Sequence, residues 1–206
     1  KSEVISKEAV QAICEKYGIT ENVFFTGIFG AALARYHFAS KSVFTTIYHG
    51  RNDSRLSDTI GMFVKTLPVV CDTTKNTEDY FVTIKNQLMG MMDHDIYPFQ
   101  EISRNFHIKP DTMFVYQGGN FAFTKICGED AEEIPLGLNA AKEPISLMMS
   151  IENGEYIYEL EYRSDLFEKE TAEYLIENLE ITARAFLDGK EPSEIRLLFD
   201  EQDKMV

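Results

Sequence analysis

GRNDSRLSDTIGMFVKTLPVV, residues 50–70, is the stretch that decides the fold, because a polar loop and a strand follow one another within it. Residues 64–70 are rich in β-branched side chains and predict a strand. Residues 42–49, SVFTTIYH, have a similar composition and predict another strand ahead of the loop. The loop carries Arg51 and ends at Gly61. The sequence therefore predicts two strands joined by a loop that holds an arginine at the end of the first strand.

Helices are predicted on both sides of these strands. The first covers residues 7–17, with Ser6 as its cap and Gly18 as its end. The second, VFFTGIFGAALARYHF, is apolar over most of its surface, which is typical of a buried helix. Its Gly27 and Gly30 predict a close approach to a neighbouring element. Further helices are expected at residues 77–92, 98–104 and 169–187.

Further strands are expected at residues 112–117, 120–126, 145–151 and 155–162. The last two flank Asn153 and Gly154, and an Asn-Gly pair between two strands is a strong signal for a hairpin. The order of elements predicts an α/β fold, an α+β sandwich, in which a mixed sheet carries its helices largely on one face. Residues 124–143 interrupt this order with an acidic run that contains glycine and proline.

Composition excludes several classes of partner. The chain has 20 basic and 34 acidic residues, and its net charge of −14 opposes binding to nucleic acid and to anionic membranes. No apolar run reaches the length of a membrane span, and the first residues lack the core of a signal peptide. Cys14, Cys71 and Cys127 are widely spaced and predict free thiols rather than a metal site. We expect one soluble, cytoplasmic domain.

Acid–base and nucleophilic chemistry is poorly represented in the sequence. His49 follows a predicted strand, but no serine or cysteine motif accompanies it. His94 lies between Asp93 and Asp95, whose side chains are expected to point to different sides of a turn. No phosphate-binding loop and no metal-ligand spacing is recognisable. We therefore expect neither a catalytic residue nor a metal ligand in this chain.

Two motifs resemble those of a known family, the condensation domains of nonribosomal peptide synthetases. That family carries a Gly-Arg pair ahead of a pattern close to (I/V)GxFVNT, and later a pattern close to (H/N)QDxPFE. The matching residues here are Gly50, Arg51, Ile60, Gly61, Phe63, Val64 and Thr66, and then His94, Asp95, Pro98 and Phe99 of HDIYPFQ. Lys65 stands where the family prefers Asn. Both motifs belong to the second half of the domain, and the first half's His-His-x-x-x-Asp-Gly signature is absent, so the chain resembles the C-terminal lobe.

The resemblance implies a half domain of the chloramphenicol acetyltransferase-like fold. Two similar lobes of such a domain form a tunnel, in which phosphopantetheine arms of carrier proteins present the substrates and no cofactor is bound directly. The catalytic histidine belongs to the other lobe, so the isolated chain is predicted to be inactive. In the parent synthetase, the implied reaction forms an amide bond between a carrier-bound acyl or peptidyl thioester and an aminoacyl amine.

The resemblance also implies roles for individual residues. Arg51 is implied to hold the aspartate of the other lobe's signature and thereby to orient the active site. An alternative for Arg51 is a solvent-exposed arginine in a turn. The residues implied to line the tunnel are Gly61, Phe63 and Gln117, and those implied to form a structural motif are His94, Asp95, Pro98 and Phe99.

The organisation implied by the resemblance is a C-terminal lobe at residues 1–190 and a linker toward an adenylation domain at residues 191–206. The implied partners are the N-terminal lobe, the upstream and downstream peptidyl carrier proteins and the adenylation domain. An isolated lobe would also expose an apolar face and could self-associate. Alternatives that use the same lobe are an epimerisation, heterocyclisation or stand-alone acyltransferase domain. A non-catalytic module that binds or docks carrier proteins is an alternative from another class.

Overall fold

The computed structural model describes residues 5–51, 53–56, 58–119, 125–126, 128–130 and 141–196. Within these residues the α-helices are α1 Lys7–Tyr17, α2 Glu21–Tyr36, α3 Thr77–Asp93, α4 Phe99–Phe106 and α5 Lys169–Leu187. The strands are β1 Lys41–Tyr48, β2 Lys65–Asp72, β3 Thr112–Gly118, β4 Lys125–Ile126, β5 Glu129–Asp130, β6 Ile145–Glu152 and β7 Glu155–Tyr162. Short 3₁₀ helices occur at Ser54–Leu56 and Pro192–Glu194.

The main sheet is mixed, as the order of elements predicts. Its strand order is β2-β1-β3-β6-β7, and β4 pairs with β5 separately. Strand β1 pairs antiparallel with β2 and parallel with β3, β3 pairs parallel with β6, and β6 forms an antiparallel hairpin with β7. Because β1, β3 and β6 run in the same direction, they all end at one edge of the sheet, here named the carboxyl edge. The opposite end is the amino edge.

One face of the sheet, here named the helix face, is covered by helices, and this confirms the predicted arrangement. Helix α2 contacts β1, β2 and β3, while α3 and α5 flank it and α1 packs across all three helices. Gly30 of α2 lies against β2, where a Cβ atom would come within 2.2 Å of the Cys71 Sγ. Gly27 lies against α3, where a Cβ atom would come within 2.6 Å of the Phe81 ring. Both glycines therefore allow the close approach that the sequence predicts.

Local sequence signals, such as helix caps and turn residues, account for most of the boundaries of the helices and strands. The Ser6 hydroxyl accepts a hydrogen bond from the N–H of Ala9, and Gly18 ends α1 with a φ of 59°. Asn153 and Gly154 have φ values of 52° and 82°, as a tight hairpin turn between β6 and β7 requires. The sequence places these features correctly because each depends on neighbours only a few residues away.

Two predictions fall largely on residues that the structure does not describe. Of the predicted strand at residues 120–126, only Lys125–Ile126 is described, and it forms β4. Of the acidic run at residues 124–143, the described parts are residues 125–126, 128–130 and 141–143. Helix α5 has Asp188 in the C-cap position, and Gly189 follows it with a φ of 79°.

The second face of the sheet carries the residues that alternate with those packed against the helices. Ile47 of β1 is 40% exposed and Val70 of β2 is 42% exposed. Val115 and Met148, on β3 and β6, are half-buried. This face is therefore only partly covered and remains available for contact with another surface.

Among the residues that the structure describes, one side chain rather than another strand binds the outer edge of β2. The N–H of Val70 donates to the Gln87 Oε1 at 3.0 Å, and the Gln87 Nε2 donates back to the Val70 carbonyl at 2.8 Å. The Gln87 amide thus takes the place of a neighbouring peptide group. Pro68, in the same strand, has no N–H to offer.

Residues 191–196 pack on the body of the domain. The Glu191 carboxylate accepts hydrogen bonds from the backbone N–H of Thr77 at 2.6 Å and from its hydroxyl at 2.9 Å. A negative charge in this place is favourable because it meets the positive end of the α3 dipole. The Pro192 carbonyl accepts a bond from the Arg35 guanidinium at 3.0 Å, and Ile195 is buried in the core. The start of the predicted linker is therefore held against α2 and α3.

Among the described residues, no helix is long and apolar enough to cross a lipid bilayer.

Candidate functional site at the carboxyl edge of the sheet

The residues that the sequence singles out lie where loops leave and enter the carboxyl edge. His49, Gly50 and Arg51 follow the end of β1, and Phe63 precedes the start of β2. Gln117 occupies the end of β3. Crevices beyond the carboxyl ends of parallel strands are the usual places for ligands in open α/β sheets. The first motif and the strand ends therefore meet at this edge of the sheet.

Arg51 holds its own loop together. Its Nη1 donates to the carbonyls of Leu56 at 2.7 Å and Thr59 at 2.9 Å, and its Nη2 donates to the carbonyl of Gly61 at 3.2 Å. The guanidinium also lies over the Phe63 ring, 4.5 Å from its centroid. Arg51 is thus not a free arginine in a turn. Its backbone partners could not be predicted, since carbonyl groups leave no sequence signal.

The turn at Gly50 brings the backbone against Phe63. Gly50 has a φ of 67°, and a Cβ atom there would lie 2.1 Å from the Phe63 carbonyl oxygen. Only glycine fits such a position without moving the chain. The His49 Nδ1 accepts a hydrogen bond from the Arg51 N–H at 2.9 Å, so the imidazole supports the same turn.

Gly61 and Phe63 lie next to Arg51, whereas Gln117 has a different neighbour. A Cβ atom on Gly61 would be 3.2 Å from the Phe63 ring, so the loop backbone lies close over that ring. Gln117 donates to the Met148 Sδ of β6 at 3.3 Å. The structure therefore brings three of the predicted residues, Arg51, Gly61 and Phe63, into one cluster. Gln117 lies on another strand of the same edge.

The second motif forms the connection between α3 and α4. His94 caps the end of α3 and donates its N–H to the Gly90 carbonyl at 3.1 Å. Pro98 occupies the N-cap position of α4, and Phe99 is the first residue of that helix. Asp95 lies between them and faces Lys65. The predicted short helix at residues 98–104 is present as Phe99–Phe106.

Lys65 connects the two motifs. Its ammonium donates to the Asp95 carbonyl at 2.7 Å and lies 3.1 Å from the Asp95 carboxylate. Lys65 begins β2, two residues after Phe63, so this contact links the Arg51 cluster to the connection between α3 and α4. Sequence reasoning noticed Lys65 only as a departure from the family pattern. Its partner is thirty residues away in the chain, and the spacing alone did not identify it.

A partly buried polar group near the same edge, centred on Glu21, was not predicted from the sequence. Glu21, in the first turn of α2, accepts hydrogen bonds from the hydroxyls of Tyr116 at 2.5 Å and Tyr156 at 3.0 Å. Burial first, and the Glu21 carboxylate second, raise the pKa of both phenols well above the usual value. Both tyrosines therefore stay neutral donors and fix the ends of β3 and β7 to α2.

The described side chains offer little reactive chemistry of their own. Burial raises the pKa of the Cys14 thiol to about 11 and that of the Cys71 thiol to about 12, so neither is a ready nucleophile at neutral pH. Within the described ranges, no cluster of three or more histidine, cysteine or acidic side chains could hold a metal ion. The carboxyl edge provides an ordered arginine, Arg51, whose guanidinium covers the ring of Phe63.

Comparison with known proteins identifies the family. Residues 4–205 match the family model of the condensation domain. The chain belongs to the condensation-domain family. Among its curated relatives, bacitracin synthase 1 of Bacillus licheniformis is 26% identical over 180 residues, which are 82% of this chain and 3% of the synthase.

Solved structures of condensation domains share the fold. A four-domain nonribosomal peptide synthetase, solved with AMP and glycine, matches 89% of this chain with a TM-score of 0.76 and 17% identity, over 16% of its own length. The X-domain in its complex with OxyB from teicoplanin biosynthesis matches 91% of this chain with a TM-score of 0.73 and 18% identity. The match covers 45% of that X-domain chain, so this chain spans less than half its length. These structures show a chloramphenicol acetyltransferase-like fold.

Proposed function

We propose that this chain is the C-terminal lobe of an amide-forming condensation domain. The observation that carries the proposal is the Arg51 cluster at the carboxyl edge, in a chain that aligns with under half of a solved domain of this fold. The His-His-x-x-x-Asp-Gly signature is absent from the sequence, as expected for this half. On this proposal the N-terminal lobe is the first partner, and the tunnel forms between the two.

The reaction joins two carrier-bound substrates. The amine nitrogen of the downstream aminoacyl group attacks the carbonyl carbon of the upstream thioester, the C–N bond forms and the C–S bond breaks. The phosphopantetheine sulfur of the upstream carrier leaves as a thiolate. A histidine of the other lobe receives the amine proton and passes it to that thiolate, which leaves as the thiol. In this chain Gly61, Phe63 and Gln117 contribute to the tunnel wall, and no residue of this chain takes the proton.

Arg51 is the positioning residue. Its bonds to the carbonyls of Leu56, Thr59 and Gly61 use three of its five N–H donors, which leaves two for an acceptor beyond the described residues. A carboxylate can accept from two guanidinium N–H groups at once, and lysine cannot reproduce this geometry. We infer that the aspartate of the N-terminal lobe's signature occupies this place. The loop bonds hold the guanidinium ready before the lobes meet.

The substrates reach this site on the phosphopantetheine arms of an upstream and a downstream peptidyl carrier protein. Residues 191–206 lead toward an adenylation domain. The contacts of Glu191 and Pro192 support this part of the proposal, since they give the exit segment a fixed starting direction. The amide-forming reaction and these partners all belong to the parent synthetase.

The test compares the chain alone with the chain joined to the segment encoded directly upstream. Acyl-loaded and aminoacyl-loaded carrier proteins are supplied to both, and dipeptide is measured by mass spectrometry. We expect no product above background from the chain alone and clear turnover from the joined protein. Dipeptide formed by the chain alone, or an upstream segment without the His-His-x-x-x-Asp-Gly signature, would refute the proposal.

Variants of Arg51 test its role in the joined protein. Arg51→Ala is expected to lower the condensation rate by about a hundredfold, because a buried charge loses its partner at about 3 kcal/mol. Arg51→Lys should restore thermal stability better than it restores the rate. In the chain alone, Arg51→Ala should release the loop and increase hydrogen exchange at residues 53–61, while the global unfolding transition remains. If the Arg51→Ala variant condensed its substrates at the full rate, Arg51 would have no role in the site.

A second candidate is a non-catalytic module that recruits another protein. The observation that favours it is the X-domain, a structure of this fold that occurs in complex with OxyB. The partly covered second face of the sheet offers a surface for such a contact. If the joined protein binds loaded carriers but forms no dipeptide, epimer or heterocycle, this candidate replaces the first. An epimerised or cyclised product would instead identify a lobe of one of the related domains.

A further inference from the structure

A cavity of about 320 Å³ lies at the amino edge of the sheet, at the opposite end of the strands from Arg51. The second half of α2, the first turns of α5 and the sheet between them form its walls, and the loops that enter β3 and β6 close one side. The lining is mainly apolar and includes Phe29, Leu33, Tyr162, Phe167 and Leu175. The cavity thus has the walls of a hydrophobic core without the side chains that would fill one.

The cavity contrasts with the dense packing of the same helix at the carboxyl edge. There Phe25 of α2 lies between two aromatic rings, 5.9 Å from the Tyr116 centroid and 4.8 Å from the Tyr156 centroid. Protein interiors are usually filled this closely, with few voids larger than a water molecule. A space of about 320 Å³ reaches the size at which small-molecule pockets begin.

The walls favour an apolar occupant over water. Val43, Ile145, Leu160 and Phe167 line the cavity and are only half-buried, so each keeps apolar surface that an occupant can cover. Covering such surface is favourable by about 25 cal/mol per Å². The volume would hold about ten waters, but a buried water needs several polar partners, and aliphatic and aromatic walls supply few.

The charged side chains of the lining select neither an anion nor a cation. Lys109 and Asp111 are both exposed, which places them at the mouth, and their opposite charges cancel when His37, the third ionisable side chain there, is neutral. A charge among the apolar walls would lose its hydration without compensation. An ionic end of either sign must therefore enter apolar surroundings or hold the ligand partly out of the cavity. Both costs favour a molecule without a charge.

We propose that this cavity is a binding site for a small uncharged apolar molecule of about ten non-hydrogen atoms, the number that its volume accommodates. The ligand lies between α2, α5 and the sheet. The length of the strands separates it from the Arg51 cluster. Its binding requires neither carrier proteins nor a second lobe, so its test is independent of the condensation reaction.

The test titrates the whole chain with octanol, 2-phenylethanol, octanoate and octylammonium and follows methyl signals by NMR. Leu33, Leu160 and Leu175 report on the cavity, while Ile47 and Val70 report on the second face of the sheet. We expect saturable shifts of the cavity methyls with both alcohols, and binding at least about fivefold weaker for both ions. Shifts confined to Ile47 and Val70, no shifts at millimolar alcohol, or an ion that binds as tightly as octanol would overturn the proposal.

Two substitutions fill the cavity from opposite walls. Ala172→Phe on α5 and Val43→Phe on β1 each place a ring in the space and should weaken octanol binding by about tenfold or more. Glu177→Phe, at an exposed position of α5, adds the same ring outside the lining and should retain octanol binding. Octanol binding that survives both filling substitutions would disprove the site. If one of the two variants does not fold, the other still decides.

Substitutions at the mouth test the absence of charge selection. Lys109→Gln and Asp111→Asn each remove one charge and should change octanol binding by less than about twofold, because no charge of the ligand is paired there. A tenfold loss in either variant would show that a polar contact holds the ligand, and would contradict the proposal.

The chain's own residues are the competing occupant. The sequence continues past Arg196 with Leu197, Leu198 and Phe199, whose apolar side chains could compete for the same space. In the combined variant Leu197→Ser, Leu198→Ser and Phe199→Ser, octanol should bind the cavity as it binds the wild type. If octanol shifts the cavity methyls only in this variant, these side chains are the occupant and the proposal is wrong.

Discussion

The two faces of the five-stranded sheet are formed by the same strands but are packed differently. On the helix face, Phe44, Phe114 and Leu147 are almost completely buried against α2 and its neighbours. On the second face, the adjacent residues Ile47 and Val115 remain exposed or half-buried. The helix face is packed so closely that two positions of α2 must be glycine, while the second face has room for a partner. The buried side chains are thus concentrated on one side of the sheet, and the other side is left more open.

The comparison explains how the chain has a complete core although one face of its sheet is little covered. All four helices that pack together lie on the helix face, and the aromatic rings of α2, α3 and α5 contact one another there. The second face contributes few of the fully buried large side chains. We therefore expect the chain to fold by itself and to lose little stability when the second face is changed.

The largest expected difference between the faces is at neighbouring residues of β3. Phe114→Ala should lower the free energy of unfolding by about 4 kcal/mol, because the ring is buried and stacks on Phe29 with centroids 5.3 Å apart. Val115→Ala, on the other face of the same strand, should lower it by about 1 kcal/mol or less. Urea denaturation of both variants measures the difference. Equal losses would mean that the second face is as tightly packed as the first.

Two helical glycines provide the next test. Gly30→Ala should destabilise by about 2 kcal/mol, since overpacking against Cys71 exceeds the gain in helix propensity. Gly90→Ala in α3 has no heavy atom within 4 Å of the new Cβ and should stabilise by about 1 kcal/mol. Thermal melts should therefore show a lower melting temperature for Gly30→Ala and a higher one for Gly90→Ala. If Gly30→Ala is neutral, α2 is not held as close to β2 as described.

A smaller effect is expected where Lys65 meets Asp95. Lys65→Met loses both the carboxylate and the carbonyl contact and should destabilise by about 1 kcal/mol. Asp95→Asn retains the carbonyl contact and should lose about half as much. The exposed pair Lys169 and Glu173, at 2.9 Å, is the control and should show little coupling in a double-mutant cycle. A Lys65–Asp95 coupling no larger than the control would mean that the two motifs are not held together by this contact.

The smallest effect on stability is expected from a charge on the second face. Ile47→Lys should change the free energy of unfolding by under about 0.5 kcal/mol, because the side chain is already exposed. It should nevertheless abolish any self-association of the chain in sedimentation velocity experiments. Val82→Lys, at an exposed position of α3, is the control and should leave association unchanged. A wild-type chain that stays monomeric at high concentration would show that this face does not pair with itself.

Local sequence signals predicted the elements of the fold well. Helix α1, the α5 helix and the β6–β7 hairpin depend on caps, periodicity and an Asn-Gly turn, all within a few residues. The family motifs also singled out Arg51, Gly61 and Phe63, which lie together at the carboxyl edge in the structure. Strand order could not be read from the sequence, because the parallel β1–β3 pairing joins Thr46 to Phe114 across the intervening helices.

The contacts that define the candidate site were the least predictable. Arg51 is held by backbone carbonyls, which any residue type supplies. Glu21 binds Tyr116 and Tyr156, which are 95 and 135 residues away, and no motif connects them. A cavity of about 320 Å³ at the amino edge is the space left between α2, α5 and the sheet, and a sequence specifies side chains but not the gaps between them. Such features depend on tertiary packing and therefore appear only in the structure.

Gln87 has a consequence for aggregation. An unpaired outer strand is a template for another strand, and proteins commonly block such edges to avoid aggregation. By bonding to both backbone groups of Val70, the Gln87 amide makes the β2 edge a poor place for a foreign strand to add. One side chain thereby helps to keep the sheets of separate copies of this chain from joining into a single aggregate.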